Sequence, residues 1–333
     1  MNTLLVLLDG MEDDPNPLLD GMKPYEAAEM PFMRRKAKHK MYTTGRGYTQ
    51  LFLNEFFTGH PPEISRAVLE ALGLGLNISG KRTAYRLSPA EIKDGMIHWS
   101  YHAHIFCDRL MSVMNKNLSI LEDYDPEIEF FLNGRAVLTM ECDDVPDLPA
   151  PPVDAPFREV PGDLGKFVMR VAEEMNGITD YPWGCGKPGY QHPPFGCLGE
   201  RMTAISDSPT ALGVAASLGY GISLVNKVED RFPAAKKALE TGNVFLHIDE
   251  VDEYSHQKDP RKKIEILEKT DRLMSEYFED AERIVYFVDH GTSCVTGEHI
   301  IMNVPLWTNI DTDISDGELV PLDRIIPRLM GQR

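Results

Sequence analysis

Three apolar runs, far apart along the chain, each stop abruptly at an acid. Residues 284–288 read Ile-Val-Tyr-Phe-Val and run into Asp289-His290-Gly291. Residues 3–8, Thr-Leu-Leu-Val-Leu-Leu, end in Asp9-Gly10. Residues 244–248, Val-Phe-Leu-His-Ile, lead into Asp249-Glu250-Val251-Asp252-Glu253-Tyr254-Ser255-His256. A short continuous apolar run suits a strand covered on both faces. In open α/β sheets, ligands gather beyond the carboxyl ends of such strands. Several carboxylates gathered there repel one another unless cations neutralise them. Asp9, Asp252, His256, Asp289 and His290, with His299 nine residues further on, are too many donors for one tetrahedral ion. They suit two divalent ions about 4 Å apart, the arrangement used in phosphoryl transfer.

Strand-like and helix-like segments alternate around these runs. Helices are expected over 49–57, 65–72, 164–175, 208–218 and 232–240, and strands over 202–206 and 220–225. A long amphipathic helix over 262–280 turns Ile264, Ile266, Leu267, Leu273 and Met274 inward. The alternation predicts an α/β fold: a doubly wound, mostly parallel sheet with helices on both faces. Residues 41–47 and 178–194 read as loops. The second contains Trp183-Gly184-Cys185-Gly186-Lys187-Pro188-Gly189, which matches neither phosphate-loop nor dinucleotide spacing. Near residue 78 the character changes. Short β-like runs at 83–87, 96–101 and 136–140 surround an amphipathic helix near 105–117, and a Pro- and Asp-rich linker covers 145–161. The expected organisation is a discontinuous metal-binding domain, 1–77 and 161–333, with a smaller α+β cap inserted at 78–160.

The net charge of −18 over 333 residues argues against nucleic acid as the partner. It allows a small anionic substrate, because metals and a few bases can dominate a pocket. Five cysteines without a Cys-x-x-Cys pair suit reduced thiols in a cytoplasmic protein. The first apolar run lacks a basic flank and ends at Asp9, and no other reaches membrane-spanning length, so neither a signal peptide nor a membrane span is expected. A monomer or a small homo-oligomer is expected.

The ordered motifs carry a resemblance. They are Leu7-Leu8-Asp9-Gly10-Met11 with Asp13-Asp14-Pro15, then Lys23-Pro24-Tyr25-Glu26-Ala27-Ala28. Next come Asp252-Glu253-Tyr254-Ser255-His256 and Thr270-Asp271-Arg272, and last Asp289-His290-Gly291-Thr292-Ser293-Cys294, His299 and Val304-Pro305-Leu306. In this order the chain resembles the alkaline phosphatase superfamily, and within it the archaeal-type cofactor-independent phosphoglycerate mutases. Both ends of the chain match well and the middle matches poorly.

The resemblance implies an alkaline phosphatase-like fold and two divalent metal ions, manganese, zinc or magnesium. Asp252, His256 and His299 would hold one ion. Asp9, Asp289, His290 and a nucleophilic hydroxyl would hold the other. The hydroxyl attacks the phosphate to give a phospho-enzyme, and the phosphoryl group passes to another oxygen of the bound acid or to water. The family has a Ser at a helix start before a Gly-Tyr-Asp-Pro-like turn, here Gly59-His60-Pro61-Pro62. No Ser lies between Asp9 and that turn. Thr49 stands at the matching offset, with Thr44 and Thr43 as alternatives; a plain helix cap is the other role open to Thr49. The arginine-rich stretch of the family is replaced by Trp99-Ser100-Tyr101-His102-Ala103-His104, and its Lys before the Asp-Glu motif by Asp249. Arg46, Arg86, Arg135, Lys187, His102 and His104 remain as bases for a phosphorylated substrate, each with a structural role as the alternative. Three functions follow: a phosphoglycerate mutase-like enzyme, a phosphatase or phosphomutase for another small phosphoester or phosphonate, and a metal-binding scaffold without catalysis.

Overall fold

Leu4–Leu8 is buried at every residue and runs near the middle of a seven-stranded sheet. In the computed structural model, which describes residues 1–99, 107–149 and 155–331, two compact units are present: 1–62 with 191–333, and 63–190. In the first unit Leu4–Leu8 pairs in parallel with Asn243–Ile248 on one side and Ile284–Phe287 on the other. Met202–Ser206 and Gly221–Leu224 extend the parallel set. Leu8 lies opposite Ile248, and Leu7 opposite both His247 and Phe287. That register delivers Asp9, Asp249 and Asp289 to one edge of the sheet.

The far side differs from expectation. Asn303–Thr308 joins Ile284–Phe287 antiparallel, and His39–Thr44 pairs antiparallel with it in turn. Most of 41–47, read as a loop, is therefore an edge strand. Its mixed His-Lys-Met-Tyr-Thr-Thr sequence hides a strand because only Met41 and Thr43 point into the core.

Successive strand residues face opposite sides, and helices meet both. Phe287 stacks on Phe56 at 4.4 Å and on Phe52 at 6.1 Å, both on the helix Thr49–Thr58. Tyr286 turns the other way, into the field of Asp271 on the helix Pro260–Phe278. Lys263, Ile266, Leu267, Thr270, Asp271, Met274 and Phe278 form the buried stripe of that helix, while Ile264 and Leu273 are half-buried. Among the described residues no helix is long and apolar enough to cross a membrane.

The second unit is an antiparallel sheet with helices. Its long strand Arg82–Lys93 pairs with Ala136–Glu141 and Met96–Trp99, and also with Ile178–Gly186. The Gly-rich segment read as a loop is thus largely strand. A register shift between Ala84 and Arg86 accommodates its Pro182, Gly184 and Gly186. The helices Cys107–Asn117 and Gly162–Glu174 bury Leu110, Met114, Phe167, Val168 and Val171 with Tyr85, Leu138 and Tyr181. Because Arg66–Gly73 and Ile178–Gly186 pack with Arg82–Lys93, this unit is wider than 78–160 at both ends.

Asp271 also closes a helix start. Its carboxylate accepts from the Phe32 and Met33 amides, both at 2.8 Å, at the head of Pro31–Lys36. Asp271→Ala leaves two buried amides without acceptors and should cost about 1–3 kcal/mol, read as a lower urea midpoint at an unchanged slope.

Candidate metal centre

The strand ends converge. His290 Nε2 lies 3.3 Å from both Asp9 Oδ1 and Asp289 Oδ2. All three atoms are buried and have no hydrogen-bond partner. Three unpartnered ligand-type atoms facing one point fit a cation, since buried polar atoms are otherwise satisfied. Beside them, His256 Nε2 lies 3.1 Å from Asp252 Oδ2 and 3.1 Å from His299 Nε2, which is 3.7 Å from Asp252 Oδ1. His256 Nδ1 donates to the Gly297 carbonyl at 2.7 Å and His299 Nδ1 to the Gly47 carbonyl at 2.8 Å. A carbonyl cannot donate, so each Nδ1 carries the proton and each Nε2 is turned toward the cluster, the usual outer support of a metal-binding imidazole. The His290 ring stacks on His299 at 4.1 Å and joins the two groups.

The backbone makes room for this approach. Gly10, at φ +59°, would place a Cβ 2.5 Å from Asp252 Oδ1 and from Thr292 Oγ1, so no larger residue fits there. Its amide donates to Asp289 Oδ1 at 3.2 Å.

The charges bear the marks of crowding. Burial, and then Asp289, Asp252 and Asp249, push the Asp9 carboxyl well above the usual carboxylate range. Burial and the neighbouring Asp207, Glu253 and Asp252 do the same to Asp249. Burial opposes the charge on Asp252 too, yet His256, His299 and His290 outweigh it and hold this carboxyl well below the usual range. Burial likewise opposes charge on His256, but Asp252 raises it to about 9. Burial lowers His290 against the pull of Asp289 and Asp252.

The chain is similar to several known proteins. Residues 202–313 match the profile of the metalloenzyme superfamily. The chain is 26% identical over 361 residues to the 2,3-bisphosphoglycerate-independent phosphoglycerate mutase of Pyrococcus horikoshii, covering 91% of this chain and 86% of that one. With the Methanopyrus kandleri enzyme of the same name the identity is 25% over 383 residues, covering 92% and 87%. Among solved structures, the PH0037 protein from Pyrococcus horikoshii superposes with a TM-score of 0.68 at 20% identity, over 100% of this chain and 98% of that one. The cofactor-independent phosphoglycerate mutase from Thermoplasma acidophilum does so at 0.58 and 18%, over 99% of each. The fold is that of the cofactor-independent phosphoglycerate mutases.

Within this mutase-like fold, the structure places the remaining candidates unequally. Thr49 is the first residue of its helix; Tyr48, in extended conformation, holds the cap position. The Thr49 hydroxyl points to Asp9 Oδ2 at 3.3 Å. A plain cap is therefore not its role, and Thr49 stands beside the acid group. Thr43 is buried in the edge strand and Thr44 ends it. Arg46 is committed within its own unit: it grips Glu55 at 2.9 and 2.7 Å and donates to the Thr44 and Gly45 carbonyls. In the second unit, Arg86 is buried against Glu70 and lies 5.0 Å over the Trp183 ring, and Lys187 donates to the Asp143 carbonyl at 2.9 Å. The structural alternative fits these three. His102 and His104 lie outside the described residues.

Two residues of this centre escape a reading of the sequence. His247 is fully buried with Nε2 2.7 Å from Asp9 Oδ2 and 3.7 Å from Asp249 Oδ1. Asp9, His247 and Asp249 thus form another group with ligand atoms all within 4.8 Å. Lys263, also fully buried, donates to the Gly10 carbonyl, Asp13 Oδ2 and the Thr292 carbonyl at 2.9, 2.8 and 3.1 Å. Its position in the inward stripe of a long helix, four before Leu267, is the one signal that could have found it.

Asp289→Asn should abolish most of the stabilisation by Mn²⁺ while leaving the cation-free fold no less stable, because it removes one of the charges crowding Asp9. In the parent chain that stabilisation is roughly 2.7 kcal/mol when free Mn²⁺ stands at 100 times Kd, and thermal unfolding with and without Mn²⁺ reads the difference. The pH dependence follows from His256. Its folded-state value, about 9 against an ordinary 6.5, means the proton stabilises the cation-free fold below 6.5 and that contribution is lost as pH rises through about 9. A cation must displace that proton. Affinity at Asp252, His256 and His299 should therefore rise with pH up to about 9, with proton release seen by calorimetry in buffers of differing ionisation enthalpy.

Proposed function

We propose that this chain is a two-cation phosphoryl-transfer enzyme that moves a phosphoryl group between oxygens of one small acid, as in the interconversion of 2- and 3-phosphoglycerate. The observation that carries the reading is the trio of buried, unpartnered atoms, Asp9 Oδ1, Asp289 Oδ2 and His290 Nε2, beside the Thr49 hydroxyl. The likeness to mutases over nine-tenths of the chain supports it. Asp9, Asp289 and His290, with Thr49, would hold one divalent ion, and Asp252, His256 and His299 the other, with manganese, zinc or magnesium suiting this mix of carboxylate and imidazole. Bound cations would neutralise the phosphoryl oxygens and lower the pKa of the attacking hydroxyl.

The chain's own groups do the rest. Thr49 donates its proton toward Asp9 Oδ2, which turns the oxygen's lone pairs toward an incoming phosphorus. The helix Thr49–Thr58 begins at this residue, and its first-turn amides favour the developing anion. Thr49 Oγ1 loses its proton to water and bonds to phosphorus as the bond to the substrate oxygen breaks, and that oxygen takes a proton from water. In the second half the other hydroxyl of the acid loses its proton to water and bonds to phosphorus as the bond to Thr49 Oγ1 breaks, and Thr49 takes a proton back. Five free cysteines suit a reducing, cytoplasmic setting.

One observation favours a second reading. Arg46, Arg86 and Lys187 are each engaged within their own unit, so they do not stand ready to grip a carboxylate. A hydrolase, with water taking the phosphoryl group, needs no such grip.

Assays of 2- and 3-phosphoglycerate interconversion beside p-nitrophenyl phosphate hydrolysis, both with added Mn²⁺, separate the two. Interconversion supports the mutase; hydrolysis alone supports the phosphatase; neither, from a chain that binds the ions, leaves a scaffold. Thr49→Ala should lower the active rate by more than about 10³-fold, and Thr49→Ser should keep it. Turnover by Thr49→Ala at the parent rate would remove Thr49 as nucleophile.

A further inference from the structure

Four histidines face the acidic edge of the sheet, and one of them is wired differently. His256 and His299 each give their Nδ1 proton to a backbone carbonyl and leave Nε2 toward the cluster. His290 turns Nδ1 to the Gly291 carbonyl at 3.3 Å and Thr292 Oγ1 at 3.1 Å, and its Nε2 has no partner. In His247 both ring nitrogens are engaged. Nδ1 lies 2.8 Å from Ser206 Oγ, and Nε2 lies 2.7 Å from Asp9 Oδ2.

The Ser206 hydroxyl decides the tautomer. It accepts the Ser208 amide at 2.8 Å, and it is fully buried. A hydroxyl has one proton to give. If it did not go to His247 Nδ1, it would stay buried without an acceptor. With the proton on Ser206 directed to Nδ1, the imidazole holds its own proton on Nε2 and donates it to Asp9. The Ser206 hydroxyl, both His247 ring nitrogens and Asp9 Oδ2 then each have a partner. Arg231 fixes the other end by donating to the His247 carbonyl at 3.1 Å while paired with Glu250 and Asp207.

We propose that Ser206, His247 and Asp9 form a hydrogen-bond relay in which His247 is a positioning residue, not a ligand of a third cation at Asp9, His247 and Asp249. Its Nε2–H occupies Asp9 Oδ2, so Asp9 Oδ1 alone is presented beside His290 Nε2 and Asp289 Oδ2. The relay rests on the two-cation reading only in taking Asp9 as a ligand.

The test is nuclear magnetic resonance of the full chain labelled with ¹⁵N-histidine, first cation-free and then with Zn²⁺ alone. His247 should show a protonated Nε2 and a bare Nδ1, unchanged by Zn²⁺, while the Nε2 signals of His256, His290 and His299 move. A bare Nε2 on His247, or one that shifts with Zn²⁺, overturns the relay. Calorimetry with Mn²⁺ gives a second readout. His247→Phe should weaken the ion held by Asp9 by about 10- to 100-fold and leave the other ion's affinity as it was. His247→Gln, whose amide can donate to Asp9 and accept from Ser206, should restore most of the loss. Loss of a third equivalent of Mn²⁺ in both variants, with two retained at parent affinity, overturns the proposal. Because the tautomer is read on the cation-free chain, failure of the two-cation reading and failure of the relay show separately.

Discussion

Repulsion among carboxylates at one buried sheet edge is the constraint to which the rest of the metal-binding unit answers. Asp9, Asp252 and Asp289 come from segments more than 30 residues apart in every case, and a parallel register brings them together. A fold does not gather such charges for stability. The raised Asp9 carboxyl and the protonated, paired His256 are the ways a chain without cations lowers the cost. Each surrounding device preserves the gathering. Gly10 allows the backbone close, carbonyls at Gly47 and Gly297 aim two imidazoles, and the Phe287–Phe56 stack fixes the strand from beneath.

What the sequence discloses follows from how burial writes itself into a chain. A strand covered on both faces must be largely apolar, so 4–8, 244–248 and 284–287 stand out, and the acids that end them stand out with them. The strand His39–Thr44 does not stand out, since an edge strand with one open side has no such run. Ile178–Gly186 hides behind Pro182 and its glycines, because its conformation is set by pairing along Arg82–Lys93 rather than by local preference. Its pairing partner also explains why the second unit reaches to residue 190.

The site shows the same division. Six of the donors announce themselves by standing just past apolar runs or in acid-rich turns. His247 sits inside a run and reads as one more core residue, and only its two hydrogen-bond partners reveal what it orients. Thr49 is legible through resemblance alone, since nothing in its local sequence separates a helix cap from a hydroxyl facing Asp9. Arg46 and Arg86 mislead in the opposite sense: their charge suggests an anion, whereas Glu55 and Glu70 already occupy them.

Lys263 has a consequence of its own. Its ammonium joins the loops at 10–13 and 292 from below, through two carbonyls and the Asp13 carboxylate. It is a tethered monovalent ion that cannot diffuse away. The floor of the centre is thereby held by a covalently attached charge. The loops beneath are tied together by this lysine without any divalent ion.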